Sequence, residues 1–138
     1  MDWNTSLNIS QSEAQGRVPI TILHVDGRIN MSNAEILEHA VRVAYEKGAR
    51  YFLLDLRNVP SLTSVGLRSI HWMYNILNQG ASRSGGEAES GTAAGGSSAS
   101  PYVKVLCSSP QVLKVLNLAG FDLYIEVYGE LQEAISAF

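Results

Sequence analysis

The chain has 138 residues, a net charge of -3, 46% hydrophobic and 17% charged residues, and one cysteine. A length of this order suits one domain that buries roughly 70% of its unfolded surface without a metal or disulfide staple. The mild acidity, with no basic run, argues against a nucleic-acid partner. The lone Cys107 excludes an internal disulfide and suits a reducing, cytoplasmic setting.

The opening residues, Met1 to Gly16, are mostly polar, and Leu7 and Ile9 alternate with polar neighbours as on an edge strand. No charged start followed by an apolar stretch marks a signal peptide, so the sequons at Asn4 and Asn8 read as chance matches. No apolar run is long enough to enter and cross a membrane. Val18 to Val25 reads as a strand with Ile20, Ile22 and His24 on one face, closed by a turn at Asp26-Gly27. Ser32 or Asn33 then caps a helix whose stripe is Leu37, Ala40, Val41 and Ala44. Gly48 is placed to end it in the left-handed conformation.

Tyr51 to Leu54 is a short apolar run, as in a buried parallel strand, and it meets Asp55 at its end. Asn58-Val59-Pro60 breaks it. Thr63 and Ser64 stand just ahead of a helical pattern, Leu67, Ile70, Tyr74 and Leu77, that runs to about Asn78. Two hydroxyls are thus expected at the carboxyl end of a strand and the amino end of a helix. In α/β folds ligands gather at such places, and free N–H groups with the helix dipole tolerate an anion there. Either hydroxyl also serves as an ordinary N-cap.

From Gly80 to Ser100 the composition turns to Gly, Ser, Ala and Thr and reads as a flexible loop, its serines possible secondary phosphorylation targets. Val103 to Cys107 resumes the core, with Cys107 as a small core residue. Ser109 and Pro110 open a helix with Val112, Leu113, Val115, Leu116 and Ala119 inward, stopped by Gly120. Tyr124 to Val127 is a last strand, and Glu130 to Phe138 a short helix with Leu131, Ala134, Ile135 and Phe138 as its apolar face. Two strands followed by alternating helix and strand give an α/β domain over residues 1–138. Its sheet is mixed but mostly parallel, with four to five strands and about four helices.

Four stretches carry a resemblance to the STAS family, in particular to anti-sigma-factor antagonists, from about Val18 to Phe138. Gly27 to Ala34 resembles the family's Gly-x-Leu-Asp turn and helix start. Asp55 to Leu67, DLRNVPSLTSVGL, resembles its Asp-Leu-x-x-Val-x-Phe-x-Asp-Ser-x-Gly-Leu switch. Ser109 to Gly129 is similar to its Pro-x-Val helix and last strand, and Glu130 to Phe138 to its terminal helix. The resemblance implies that Ser64 is phosphorylated by a serine kinase that is also the anti-sigma factor, and that a serine phosphatase reverses this. The unphosphorylated face would dock on the kinase and free a sigma factor. Asn30, Met31, Ser32, Leu62, Thr63, Val65, Gly66 and Arg68 are the candidate docking residues, Gly66 by allowing close approach of a partner.

A phosphate adds about -1.5 to -2 charges. One mispaired charge at about 4 Å costs on the order of 4 kcal/mol at an effective dielectric near 20, or roughly a thousandfold in affinity. Two family acidic positions are neutral here, Thr63 and Asn30. An unphosphorylated STAS adaptor, on a transporter ATPase or a signalling scaffold, is therefore the alternative. An enzyme ranks below both, because no phosphate-binding loop, metal pair or nucleophile elbow is found. His24, His39 and His71 lie in separate elements, and no cofactor or metal site is expected.

Overall fold

The computed structural model describes residues 7–31, 33–85 and 100–138. Five strands form one sheet in sequential order: β1 (Leu7–Gln15), β2 (Pro19–Gly27), β3 (Phe52–Asn58), β4 (Val103–Leu106) and β5 (Glu126–Tyr128). The β1–β2 pair is antiparallel and every later pair is parallel, so each later pair needs a crossover helix. These are α1 (Ala34–Glu46), α2 (Ser64–Gly85) and α3 (Pro110–Leu118), while α4 (Leu131–Ser136) closes the described chain.

Because the strands are laid down in one direction, right-handed crossovers put α1, α2 and α3 on the same side of the sheet. Strand alternation then sorts the core in two. Leu23, Val25, Phe52, Leu54, Leu56, Val103 and Val105 pack with Leu37, Val41, Ile70, Met73, Val112 and Leu116 of the three helices. Ile20, Ile22, Leu53 and Leu106 point the other way, against Ala134 of α4. Strands buried on both faces explain the near-continuous apolar runs of β2 to β4. Cys107 is buried in the larger core, as its surroundings in the sequence suggest. There burial pushes its thiol pKa up, although Ser109 offers a backbone hydrogen bond.

Local chemistry sets several boundaries. Gly48 follows α1 with φ of +111°, where a side chain is strained. Ser109 accepts a hydrogen bond from the Val112 N–H at 3.5 Å, with Pro110 at the first helical position.

Other boundaries move from their expected places. Asp26 and Gly27 do not form a turn but finish β2, past a register irregularity between His24 and Asp26. Helix α2 continues beyond Asn78 to Gly85, because extending an existing helix avoids the cost of a new nucleus. The expected Gly/Ser loop therefore does not begin at Gly80, and residues 86–99 lie outside the described ones. Tyr124 is not in the last strand. Gly120, at φ of +78°, leads into a short 3₁₀ turn, Phe121–Leu123, and the Tyr124 ring packs on Tyr74 of α2 at 4.7 Å. Pairing with β4 begins only at Glu126. Ala119 caps α3 and is exposed rather than inward.

Candidate functional site

The carboxyl end of β2 leads into the turn before α1, and β3 leads through Val59 to Leu62 into α2. One side chain ties these two loops together. The Thr63 hydroxyl donates to the Ile29 carbonyl at 3.2 Å and accepts from the Gly66 N–H at 3.4 Å. It is thus the N-cap of α2, satisfying a donor that the first helical turn leaves free. Ser64 occupies the next position, the first residue of the helix, and is exposed. Its hydroxyl makes no hydrogen bond among the described residues.

The facing loop is held by a pair of asparagines. The Asn30 N–H donates to Asn33 Oδ1 at 2.8 Å, and the Asn33 N–H donates to Asn30 Oδ1 at 3.2 Å. Asn33 Nδ2 also donates to the Arg28 carbonyl at 3.0 Å. Asn33 is the N-cap residue of α1, but its amide is turned back into the loop rather than onto the helix. This closed loop pushes Met31 outward, 83% exposed. Leu118 and Leu123 are exposed to a similar degree, 78% and 71%, so one exposed apolar side chain does not by itself mark a contact surface.

The candidate docking residues therefore separate. Asn30, Met31, Thr63 and Ser64 are brought together through the Thr63–Ile29 bond, with Arg68 exposed four residues further along α2 and Val65 half-buried. Ser32 lies outside the described residues. Leu62 is a core residue, 7% exposed, because the chain must close the top of the larger core before α2 begins. Gly66 is buried as well. A Cβ there would meet Leu62 Cδ1 at 2.7 Å and Ile29 Cβ at 3.7 Å. The close approach it allows is made by Leu62 of its own chain.

Asp55 closes the buried part of β3. Its Oδ1 accepts the Arg57 backbone N–H and Nε, each at 3.0 Å, and its Oδ2 accepts Arg57 Nη2 at 3.1 Å and His24 Nδ1 at 2.8 Å. Burial acts to raise its pKa, but the bonds from Arg57 and His24 outweigh it and hold the carboxyl below its ordinary value. His71 meets the Tyr124 hydroxyl at 3.3 Å, and His39 is exposed, so the three histidines stay apart. Among the described residues, no three His, Cys, Asp or Glu side chains gather as metal ligands, and no helix is long and apolar enough to cross a membrane.

The family model for the STAS domain matches residues 11–82, just over half of the chain. The chain belongs to the STAS domain family. A comparison with curated proteins finds no significant match. Among solved structures, an anti-sigma factor antagonist from Mycobacterium paratuberculosis superposes with a TM-score of 0.72 at 23% identity, over 96% of this chain and 93% of the other. A Thermotoga maritima protein, provisionally assigned as an anti-sigma factor antagonist, gives 0.67 at 18% identity over 91% and 90%. At these identities the likeness establishes the STAS fold for nearly the whole chain. The family match ends within α2, so the assignment of β4 to α4 rests on the structural likeness and on the strand pairing itself.

What the sequence did not reveal is the division of labour between Thr63 and Ser64. Both are hydroxyls at a helix start, and sequence spacing alone gives either one the cap. The helix beginning at Ser64 decides it. The other hidden element is the pairing of His24 with Asp55, two residues in register on adjacent strands. Alternation put His24 on the face of Ile20 and Ile22, which was the available signal.

Proposed function

We propose that this STAS domain is an anti-sigma-factor antagonist that docks on an anti-sigma kinase through the surface around Met31, Thr63, Ser64 and Arg68, and that phosphorylation of Ser64 releases it. The observation that carries this reading is that Thr63 does the capping. Ser64 is left exposed at the first position of α2, where its hydroxyl makes no hydrogen bond among the described residues.

A phosphate at that oxygen would lie beside the free N–H groups of the first turn, so it need not disturb the helix. Its charge would instead fall within the docking surface, where an uncompensated anion is costly. A serine phosphatase restores the docking form. The reading places the protein in the cytoplasm, as a regulator of transcription rather than a catalyst.

The second reading, an adaptor that docks without phosphorylation, draws on the same two positions. Thr63 and Asn30, neutral where the resembled family has acids, are both occupied by internal hydrogen bonds.

The two are separated by incubating the protein with its partner kinase and ATP, mapping phosphate by mass spectrometry, and measuring kinase binding of Ser64→Asp. Phosphate on Ser64 and a loss of affinity on the order of a thousandfold support the first reading. Undiminished binding of Ser64→Asp overturns it.

A further inference from the structure

The face of the sheet shared with α4 carries a polar chain that the docking surface does not use. Asp55 is 5% exposed, and both its oxygens are filled by donors from Arg57 and His24. A carboxylate held this way only accepts, so the proton between it and His24 sits on Nδ1. In the neutral imidazole the lone pair then lies on Nε2. Ser12 Oγ is 2.7 Å from that nitrogen, so the serine must be the donor.

Strand register makes this geometry a property of the sheet. His24 pairs with Asp55 across β2–β3, and Ser12 pairs with Ile22, one step along the same face from His24. Ser12 lies on the edge strand and is exposed, and the imidazole is 32% exposed, so small molecules reach both. A hydroxyl bonded to a base whose other nitrogen is oriented by a carboxylate is the constellation that activates a serine nucleophile.

We propose that Ser12 is an acyl-acceptor site for activated carboxylic esters, with His24 as its base and Asp55 as a positioning residue. Ser12 Oγ forms a bond to the ester carbonyl carbon as its proton passes to His24 Nε2. The tetrahedral adduct collapses, and the bond to the leaving oxygen breaks with its electron pair. The imidazolium returns its proton to the departing oxygen or to water. The products are an ester of Ser12 and a free phenol or alcohol, with no redox change. Arg57 sets the substrate class. Its guanidinium offsets the carboxylate charge, so Asp55 orients the ring while lending little field to an imidazolium. Acyl donors with a good leaving group fit that arrangement; amides do not.

The test uses the full chain with p-nitrophenyl acetate, read by intact mass and peptide mapping. The expected result is one acetyl group on Ser12. Its rate should fall about 100-fold in His24→Gln, the loss typical of a missing general base. Ser12→Ala removes the adduct, and Ser108→Ala, an exposed serine outside β1 and β2, leaves it intact. Circular dichroism verifies that His24→Gln is folded. Acetyl groups on lysines with none on Ser12, or an equal rate in folded His24→Gln, each overturn the proposal.

Discussion

Thr63 donates its hydroxyl to the carbonyl of Ile29 at 3.2 Å, joining the start of α2 to the loop that precedes α1. The same oxygen accepts from the Gly66 N–H, so one side chain both caps a helix and fixes the spacing of two loops. Replacing it by the near-isosteric valine removes both bonds. Thr63→Val should cost about 1–2 kcal/mol of stability, the usual worth of an N-cap together with a net hydrogen bond. Urea unfolding measures it, and an unchanged midpoint would show that the cap carries no load.

Substitutions at Ser64 should separate binding from folding. The hydroxyl makes no hydrogen bond among the described residues, so Ser64→Ala is expected to shift stability by less than about 0.5 kcal/mol. Ser64→Asp places a negative charge at the amino end of α2 and should stabilise slightly, by about 0.3–1 kcal/mol at low salt. The stabilised variant should nevertheless lose its partner. Thermal unfolding and a titration with the kinase, run on the same samples, provide the comparison.

Gly66→Ala sets two effects against each other. Alanine favours the helix by about 1 kcal/mol. Its Cβ, however, would sit 2.7 Å from Leu62 Cδ1, and Leu62 is wedged in the core. Overpacking of this kind costs about 1–3 kcal/mol. The net should be a loss of about 1 kcal/mol. Leu62→Ala should cost less in the Gly66→Ala background than alone, since removing the leucine relieves the clash. Strictly additive effects in that double-mutant cycle would rule out the contact as the reason for glycine.

The Asp55 cluster makes stability depend on pH at the acid end. Its folded pKa lies below the ordinary value of 3.8, so its contribution is full above that value and is lost as pH falls through the lower, folded one. Asp55→Asn should be less stable than wild type at pH 7, and the gap should narrow as the pH is taken below about 4. At the alkaline end Tyr128 acts the other way. Burial first, then its bond to Glu126, pushes its phenol up to about 12. Its contribution is complete below the ordinary value of 10 and is lost as pH rises toward 12. Tyr128→Phe should flatten that alkaline decline. Thermal melts across pH give both results.

Lys104 is 4% exposed and its Nζ is held by Glu126 Oε1 at 2.8 Å. Removing one partner should hurt more than removing the charge. Glu126→Ala leaves a buried ammonium without its carboxylate and should cost more than 1 kcal/mol, the partly exposed glutamate keeping the loss below that of a fully buried pair. Lys104→Met removes the ammonium, and with it the Nζ contact over the Phe138 ring, but keeps a buried side chain of similar length and should be close to neutral. Denaturant unfolding of the two variants settles the order.

Features governed by a few consecutive residues were legible in advance. Ser109-Pro110 opens α3 and Gly48 ends α1 because capping and positive φ depend on immediate neighbours. The burial of β3 was visible for the same reason, as the short apolar run Tyr51 to Leu54. Features that need register were not. Sequence cannot show that Leu62 fills the space beside Gly66, because that depends on the angle at which α2 meets the sheet. Nor can it bring Ser12 to His24, which requires the β1–β2 hairpin to close in one register. Tyr124 has the composition of a strand residue, but its ring finds Tyr74 and Phe121, and tertiary packing overrides β-propensity. At the candidate docking surface, the structure places Met31, Thr63, Ser64 and Arg68 at the surface and Leu62 and Gly66 in the interior.

The strand order β1 to β5 matches the order of synthesis. Each strand, once made, finds its neighbour already present, so the sheet grows by accretion at one margin. A chain emerging from the ribosome amino terminus first meets these pairings in sequence, but each parallel one must first close a crossover, the longest joining Phe52 to Val103. It also leaves the most recently made strand as the growing rim, to be covered last by the terminal helix.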